Sequence, residues 1–224
     1  MPDAPHTQSI DEPQSDTLDV QAARKRPKPG ERRIQILQTL AEMLQQPSGD
    51  RITTAALAAR LDVSEAALYR HFASKAQMFE GLIEFIEQSV FTLINQIVAR
   101  EEAAGGDPRA VGVRQASKIV AMLMQFSERN PGMARVMVGD ALVFENERLQ
   151  TRMNQFFDKI ESTLKQCLRA GVAEGASATP TVDAQVRASV LAAFVAGRLQ
   201  RFVRSGFKRL PSEHLDTCLA VLLG

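Results

Sequence analysis

The sequence is poor in the residues that form metal sites and disulfide frameworks. Its 224 residues include two cysteines and three histidines, and tryptophan is absent. Cys167 and Cys218 lie far apart in the sequence, without a C-x-x-C motif or a histidine at ligand spacing, which argues against a zinc site and a disulfide framework. We therefore expect no metal, no cofactor and a reducing compartment for the protein.

The sequence motifs of the common enzyme classes are also missing. There is no glycine-rich dinucleotide motif, no P-loop and no G-x-S-x-G around a nucleophilic serine. His6, His71 and His214 are widely separated, and none belongs to a recognisable set of acid, base and nucleophile. We expect a protein without catalytic residues that is not an enzyme.

Long apolar runs are a third absence. No stretch of 18 apolar residues occurs, and the polar, acid-rich beginning of the sequence lacks the apolar segment of a secretion signal. The expectation is a cytoplasmic protein that does not bind membranes.

The residues that are abundant favour helices. Ala, Leu, Gln, Glu and Arg are frequent, whereas alternating runs of Val, Ile and Thr are scarce. Apolar residues recur at spacings of three and four, most clearly from Phe79 to Ile97, and this pattern predicts an all-α fold. Helix starts are predicted where a capping residue stands alone or precedes proline, at Thr53, Ser64, Ser74, Asp107–Pro108, Asn130–Pro131, Thr179–Pro180 and Ser212.

Charge is distributed unevenly, although the formal net charge is only +1. Residues 24–75 contain ten Lys and Arg against five acids, whereas residues 76–104 contain one Arg and five Glu. Residues 1–29 have too few large apolar groups to offset the entropy of ordering, so they are predicted to form a disordered tail. The tail ends in a basic arm that enters the first helix at Arg32 and Arg33.

Three short helices are predicted within residues 30–77. The first covers residues 31–46, and the next two, at about 53–72, are separated by a turn of three or four residues. This arrangement is typical of a helix-turn-helix DNA-binding domain. Residues 78–224 are predicted to form a larger helical domain.

The third helix has the properties of a recognition helix. Ala66 keeps its first turn slim enough to approach base edges, and Tyr69, Arg70 and His71 follow on or beside the face opposite the predicted apolar side. The helix start at Ser74–Lys75 adds an ammonium group for DNA phosphates. The predicted DNA-contacting residues are Arg32, Arg33, Thr53, Thr54, Ser64, Glu65, Ala66, Tyr69, Arg70, His71 and Lys75.

Glu65 does not suit this surface as well as its neighbours do. A carboxylate is repelled by phosphates unless it accepts a hydrogen bond from a cytosine amino group. We favour a different role for it, which is to complement the dipole at the beginning of the third helix.

The segment TTAALAARLDVSEAALYRHFASKAQMF resembles the DNA-binding domain of the TetR family, and LYRHFASK is similar to the end of its recognition helix. The resemblance implies about nine helices, a homodimer that binds palindromic sites in double-stranded DNA, and a C-terminal domain built on the long fourth helix.

A narrower resemblance points to one branch of this family. LIEFIEQS, FSERNPGMARVMVGDALVFENERLQTRMNQ and RFVRSGFK look like segments of nucleoid-associated members that bind chromosomal sites and oppose assembly of the division protein FtsZ over the nucleoid. In that branch the fourth and fifth helices bind the partner. The matching residues here are Phe85, Arg129 and Asn130, and Met122 and Gln125 occupy the preceding turns of the fifth helix. Phe85 as a core residue and Asn130 as a cap are open alternatives.

Small residues at four-residue spacing in the penultimate helix predict a close helix contact. Ala188, Ala192 and Ala196, together with Phe202, are the candidate dimer interface. Packing inside the same chain is the alternative.

A ligand-responsive transcriptional repressor of the same fold is the alternative function. A small molecule would then bind among the middle helices. Met122, Met124, Met133 and Met137 are the candidate lining residues, although methionines at such spacing also fill gaps in a core.

Overall fold

A computed structural model of the chain describes residues 30–46, 52–143, 145–170 and 179–224. Within these ranges the chain forms nine α-helices, one short 3-10 helix and no strand, which confirms the all-α prediction. The helices are α1 (Glu31–Met43), α2 (Thr54–Arg60), α3 (Glu65–Tyr69), α4 (Lys75–Ala104), α5 (Pro108–Arg129), α6 (Pro131–Met137), α7 (Glu147–Ala170), α8 (Pro180–Arg204) and α9 (Leu215–Leu223), and the 3-10 helix is Asp140–Leu142. The tail predicted for residues 1–29 lies outside the described residues.

Four of the predicted helix starts are closed by the expected side-chain hydrogen bond. In each case the oxygen of the capping residue accepts from the backbone N–H three residues later, which satisfies one of the unpaired N–H groups of the first turn. The distances from the accepting side-chain oxygen to the donating backbone nitrogen are 3.1 Å for Thr53 and Ala56, 3.3 Å for Ser64 and Ala67, 3.2 Å for Ser74 and Gln77, and 3.0 Å for Asp107 and Ala110.

The turn between α2 and α3 is set by the way α2 ends. The Val63 N–H donates to the Ala58 carbonyl (3.0 Å), and the Asp62 N–H donates to the Ala59 carbonyl (3.1 Å). These two bonds form a Schellman motif, whose penultimate residue must adopt the left-handed region. Asp62 does so with φ 54°, a conformation that Asp tolerates better than most residues. The half-buried Val63 then packs on the core and directs α3 across α2.

Three predicted helix boundaries, two ends and one start, differ from the structure. Helix α1 stops at Met43, and α3 stops at Tyr69 because the His71 N–H bonds to the Leu68 carbonyl in a tight turn that brings Phe72 into the core. Ser212 does not cap α9. Its N–H instead donates to Glu128 Oε1 (2.9 Å), and α9 begins three residues later.

The two remaining starts before proline form without a cap from the side chain. Pro131 and Pro180 occupy the first helical positions as predicted, but the side chains of Asn130 and Thr179 do not accept from the following turn. Asn130 instead donates from Nδ2 to the Phe126 carbonyl (2.7 Å), so it closes the end of α5.

Helix α4 connects the small N-terminal helices to the rest of the protein. Its buried residues, which include Phe79, Leu82, Ile86 and Val90, pack against α1, α5 and α7. Within the described part of the chain, α4 is the one helix long and apolar enough to cross a bilayer, with a mean hydropathy of 1.2 over 18 residues, of which 28% are buried in the protein.

The far end of α4 is joined to α5 by buried polar groups. Glu101 accepts from Lys118 and from Arg114 Nε (3.0 Å), and the hydrogen bonds from Lys118 and then Arg114 hold the pKa of its carboxyl below its ordinary value. Gln115 Nε2 also donates to the Val98 carbonyl (3.2 Å). These bonds set the antiparallel register of the two helices.

A backbone contact between α1 and α6 forms a second connection. Gly132 lies so close to α1 that a Cβ atom on it would be 1.9 Å from the Ala41 carbonyl oxygen. Next to it, Arg135 Nη1 donates to the carbonyl of Leu44 (3.2 Å), beyond the last residue of α1. Only glycine permits this contact, so the position of α1 depends on α6.

Candidate nucleic-acid interface

Helix α3 presents a polar and small-residue face to the outside. Leu68 is buried against the core, whereas Glu65, Ala66, Tyr69 and Arg70 are exposed. Ser64 and His71, on either side of the helix, are exposed as well. The recognition-helix residues predicted from the sequence are therefore brought together on one accessible surface.

A hydrogen-bonded cluster joins α2 to α3 on this surface. Thr54 Oγ1 donates to Glu65 Oε2 (2.6 Å), and the Tyr69 hydroxyl lies 3.5 Å from Thr54 Oγ1 as a weak donor. The cluster gives Glu65 a role that the sequence reasoning missed, because a charge-assisted bond to Thr54 fixes the angle between the two helices. Glu65 also stands in the first turn of α3, where a carboxylate suits the helix dipole.

The beginning of α1 lies against the end of the recognition helix. Arg33 Nη1 donates to the His71 carbonyl (3.1 Å), and its guanidinium lies 4.2 Å from the centre of the Phe72 ring. Arg32 bonds to Gln35 Oε1 (2.8 Å) on its own helix. Arg33 therefore carries its charge at the end of α3, whereas the hydrogen bond of Arg32 stays within α1, and the basic arm predicted before Arg32 lies outside the described residues.

Lys75 occupies the first position of α4, but its ammonium is not directed at solvent. Nζ lies 2.5 Å from Glu145 Oε1 and 5.6 Å from the centre of the Phe79 ring. The expected phosphate contact therefore requires a change of partner.

The residues predicted to bind a protein partner are brought to one end of the α4–α5 pair. The bond from Gln115 to the Val98 carbonyl fixes the register of these two antiparallel helices. Phe85 lies thirteen residues before Val98 on α4, and Glu128 lies thirteen residues after Gln115 on α5. Phe85 is therefore level with Glu128, next to Arg129. Gln125 and Arg129 are exposed. Phe85 and Met122 are half-buried and pack partly against the core, and Asn130 bonds to the Phe126 carbonyl.

The structure corrects the predicted dimer interface. Ala188, Ala192 and Phe202 are buried within the single chain, so they offer no surface to a second copy. Their spacing serves the packing of α8 inside the chain, chiefly against α7, which was the alternative. Ala196 remains half-exposed.

The opposite side of α8 carries an apolar stripe that the sequence analysis did not single out. Val182, Val186 and Val190 are 57%, 56% and 45% exposed, and Ala193 and Gly197 continue the stripe on the exposed side. The sequence pattern that could have predicted this stripe is the spacing of the three valines, which follow one another at intervals of four residues and therefore share one face of the helix.

The methionines proposed as ligand-pocket residues belong to the core. Met124 and Met137 are fully buried, Met133 is nearly so, and Met122 packs partly against the same cluster. In the part of the chain that the structure describes, no three His, Cys, Asp or Glu side chains come together as a metal site.

Two family models match the chain. One, described as "Bacterial regulatory proteins, tetR family", covers residues 36–82, and the other, described as "Tetracyclin repressor-like, C-terminal domain" and named SlmA-like, covers residues 112–223.

Several curated proteins are similar over most of their length. The nucleoid occlusion factor SlmA of Idiomarina loihiensis is 50% identical over 185 residues, which are 83% of this chain and 90% of that protein. The proteins of the same name from Aliivibrio fischeri and Vibrio cholerae are 47% and 48% identical and cover 88% and 85% of this chain, with 96% and 93% of their own lengths covered.

Solved structures show the same fold at low identity. The regulator FadR of Bacillus subtilis, in complex with stearoyl-CoA, superposes with a TM-score of 0.66 at 13% identity, covering 85% of this chain and 97% of that one. FadR of Bacillus halodurans superposes with a TM-score of 0.66 at 16% identity, and the superposition covers 88% of this chain and 97% of that one.

Proposed function

The chain belongs to the TetR family and, within it, to the nucleoid occlusion factors named SlmA, and on that premise we propose that it binds chromosomal sites as a homodimer and there opposes FtsZ polymerisation over the nucleoid. The observation that carries the proposal is the continuous similarity, at 50% identity, across both the DNA-binding and the C-terminal domains. A regulator that shared only the helix-turn-helix would not match outside it.

The geometry of α3 supports the DNA-binding part of the proposal. Its first turn is slim at Ala66, and its exposed side chains include Arg70 and the Tyr69 hydroxyl. Groups of this kind position a protein on DNA by binding phosphates, while a slim helix tip reaches the base edges. The Thr54–Glu65 bond holds that tip at a constant angle to α2.

The α8 stripe supports the homodimer. Three exposed valines in line make an apolar patch of the kind that a protein surface covers, and two copies related by a two-fold axis would cover each other's stripe. The axis would place two α3 helices against two half-sites of a palindrome.

The side chains at the end of the α4–α5 pair support a partner-binding site there. Phe85 supplies a half-buried aromatic ring, and Arg129 supplies an exposed cation level with it. A peptide with an apolar anchor and an acidic group suits this pair, since aromatic and arginine side chains dominate the energetics of many interfaces.

The test is assembly of FtsZ with GTP, measured by sedimentation of polymers, in the presence of the protein with and without a duplex that it binds. We expect fewer polymers, with a larger reduction when the duplex is present. The Arg129→Ala variant should lose the inhibition and keep its DNA affinity, and Arg169→Ala, which removes an exposed arginine from α7, is the matched control. Unchanged polymer yield with the DNA-bound protein would refute the FtsZ part of the proposal.

A ligand-responsive repressor is the less supported function, because the methionines that would line its pocket fill the core. A genome-wide binding profile separates the two functions. Nucleoid occlusion requires many sites scattered over the chromosome, whereas a local repressor binds one neighbouring promoter.

A further inference from the structure

Lys75 and Glu145 form an ion pair between two parts of the protein that are 70 residues apart in sequence. Lys75 begins α4 directly after the recognition helix, and Glu145 precedes α7 in the larger domain. The Lys75 side chain is 21% exposed and that of Glu145 is 9% exposed, so the pair is largely shielded from water. Such a pair is screened less by salt than a surface pair.

The same ammonium is the cation that the sequence places beside DNA phosphates. In the structure this ammonium is paired with Glu145 and lies close to the Phe79 ring, so it is already engaged within the protein. We propose that Glu145 competes with DNA for Lys75, so that the ion pair is a latch between the DNA-binding helices and the larger domain that DNA opens. The inference rests on the proposed DNA binding and concerns its regulation.

Opening the latch has a consequence for Glu145. Its carboxylate is nearly buried, and a buried charge without a partner is unfavourable, so the segment that carries it must move toward water. That segment leads into α7, where Arg148 pairs with Glu80 and Arg152 pairs with Glu87 (3.1 Å) on α4. These two α4 residues flank Phe85 in sequence, so the latch adjoins the contacts that hold the partner-binding part of α4.

The first test compares Glu145→Gln with the wild-type protein in binding to a mixed-sequence duplex of about 30 base pairs at low ionic strength. Glutamine preserves the shape and removes the charge. Because the ammonium then no longer has to leave a carboxylate before it reaches a phosphate, we expect about fivefold tighter binding, equivalent to about 1 kcal/mol. The matched control is Glu213→Gln, which removes an equal charge from an exposed residue 3.9 Å from Arg201 and should change the affinity by less than about twofold.

The second test repeats the substitution in a Lys75→Ala background. Lys75→Ala alone should weaken binding and lower the slope of log affinity against log salt by about 0.9, the contribution of one phosphate contact. Glu145→Gln should then have no further effect. An equal gain with or without Lys75 would show that Glu145 acts only through its general charge, and the latch would be overturned.

A third measurement needs no variant. Amide hydrogen exchange of residues 145–149 in the wild-type protein should become faster when the duplex is added, because the segment that carries Glu145 is released. Unchanged or slower exchange would overturn the latch even if Glu145→Gln failed to fold. If the wild-type protein bound no duplex at all, the proposed function would fail instead.

Discussion

The exposed faces of α3 and α8 differ in the chemistry that they offer to a partner. Helix α3 is five residues long, buries only Leu68, and exposes carboxylate and hydroxyl groups, with the guanidinium of Arg70 directly after its last residue. Helix α8 is 25 residues long, buries a complete face, and exposes a row of valines on the other. The difference indicates two kinds of partner, because charged and hydroxyl groups suit a hydrated polyanion whereas exposed valines gain free energy when another apolar surface covers them.

The largest expected effect is on the α8 face. Val186→Glu would place two carboxylates in a symmetric apolar interface, and at about 2 kcal/mol for each buried charge the dimer dissociation constant should rise about a thousandfold. Sedimentation equilibrium measures the change. Val143→Glu, which alters an exposed valine outside α8, is the matched control. A Val186→Glu protein that stayed dimeric would remove α8 from the interface.

The next effect concerns the close contact between α1, next to the DNA-binding helices, and α6 of the larger domain. Gly132→Ala would force a methyl group into the Ala41 carbonyl oxygen, and α1 would have to move away from α6. We expect the free energy of unfolding to fall by about 2–3 kcal/mol, as overpacking usually causes. Urea denaturation followed by circular dichroism gives the value. An unchanged midpoint would mean that α1 adjusts without cost and is not held in place by α6.

A smaller effect is expected on the α3 face. Arg70→Ala should weaken binding to duplexes of every sequence by about tenfold, with a salt slope lower by about 0.9, because it removes one phosphate contact. Arg209→Ala, which removes an exposed cation near the end of α8, should leave DNA binding unchanged. A loss confined to particular sequences would instead indicate that Arg70 reads a base.

The smallest effect concerns the cluster that fixes α3 against α2. Thr54→Val removes the donor to Glu65, and the free energy of unfolding should fall by about 0.5–1.5 kcal/mol. Thermal unfolding of Thr54→Val, Glu65→Gln and the double variant gives the coupling between the two residues. Independent effects would favour the dipole as the main role of Glu65.

The sequence by itself determined where several helices begin, both in the DNA-binding domain and at the start of the larger domain. The starts of α2, α3, α4 and α5 follow from hydrogen bonds that close within three residues, so the capping residue and its neighbours contain all the information needed. The family resemblance could be read from the sequence for a similar reason, since it lies in continuous segments, most of which fall within the ranges 36–82 and 112–223 that the two family models match.

Only the tertiary structure decided which faces and which charges are available. Helix α8 has small or apolar residues on two sides, and periodicity cannot tell that Ala188 points inward while Val186 points outward. Lys75 pairs with Glu145, 70 residues away, and Arg135 donates to the Leu44 carbonyl, 91 residues away. Gly132 meets Ala41 across a similar distance along the chain. Contacts of this kind depend on how the helices pack against one another, and that packing is settled by the buried surface of the whole molecule.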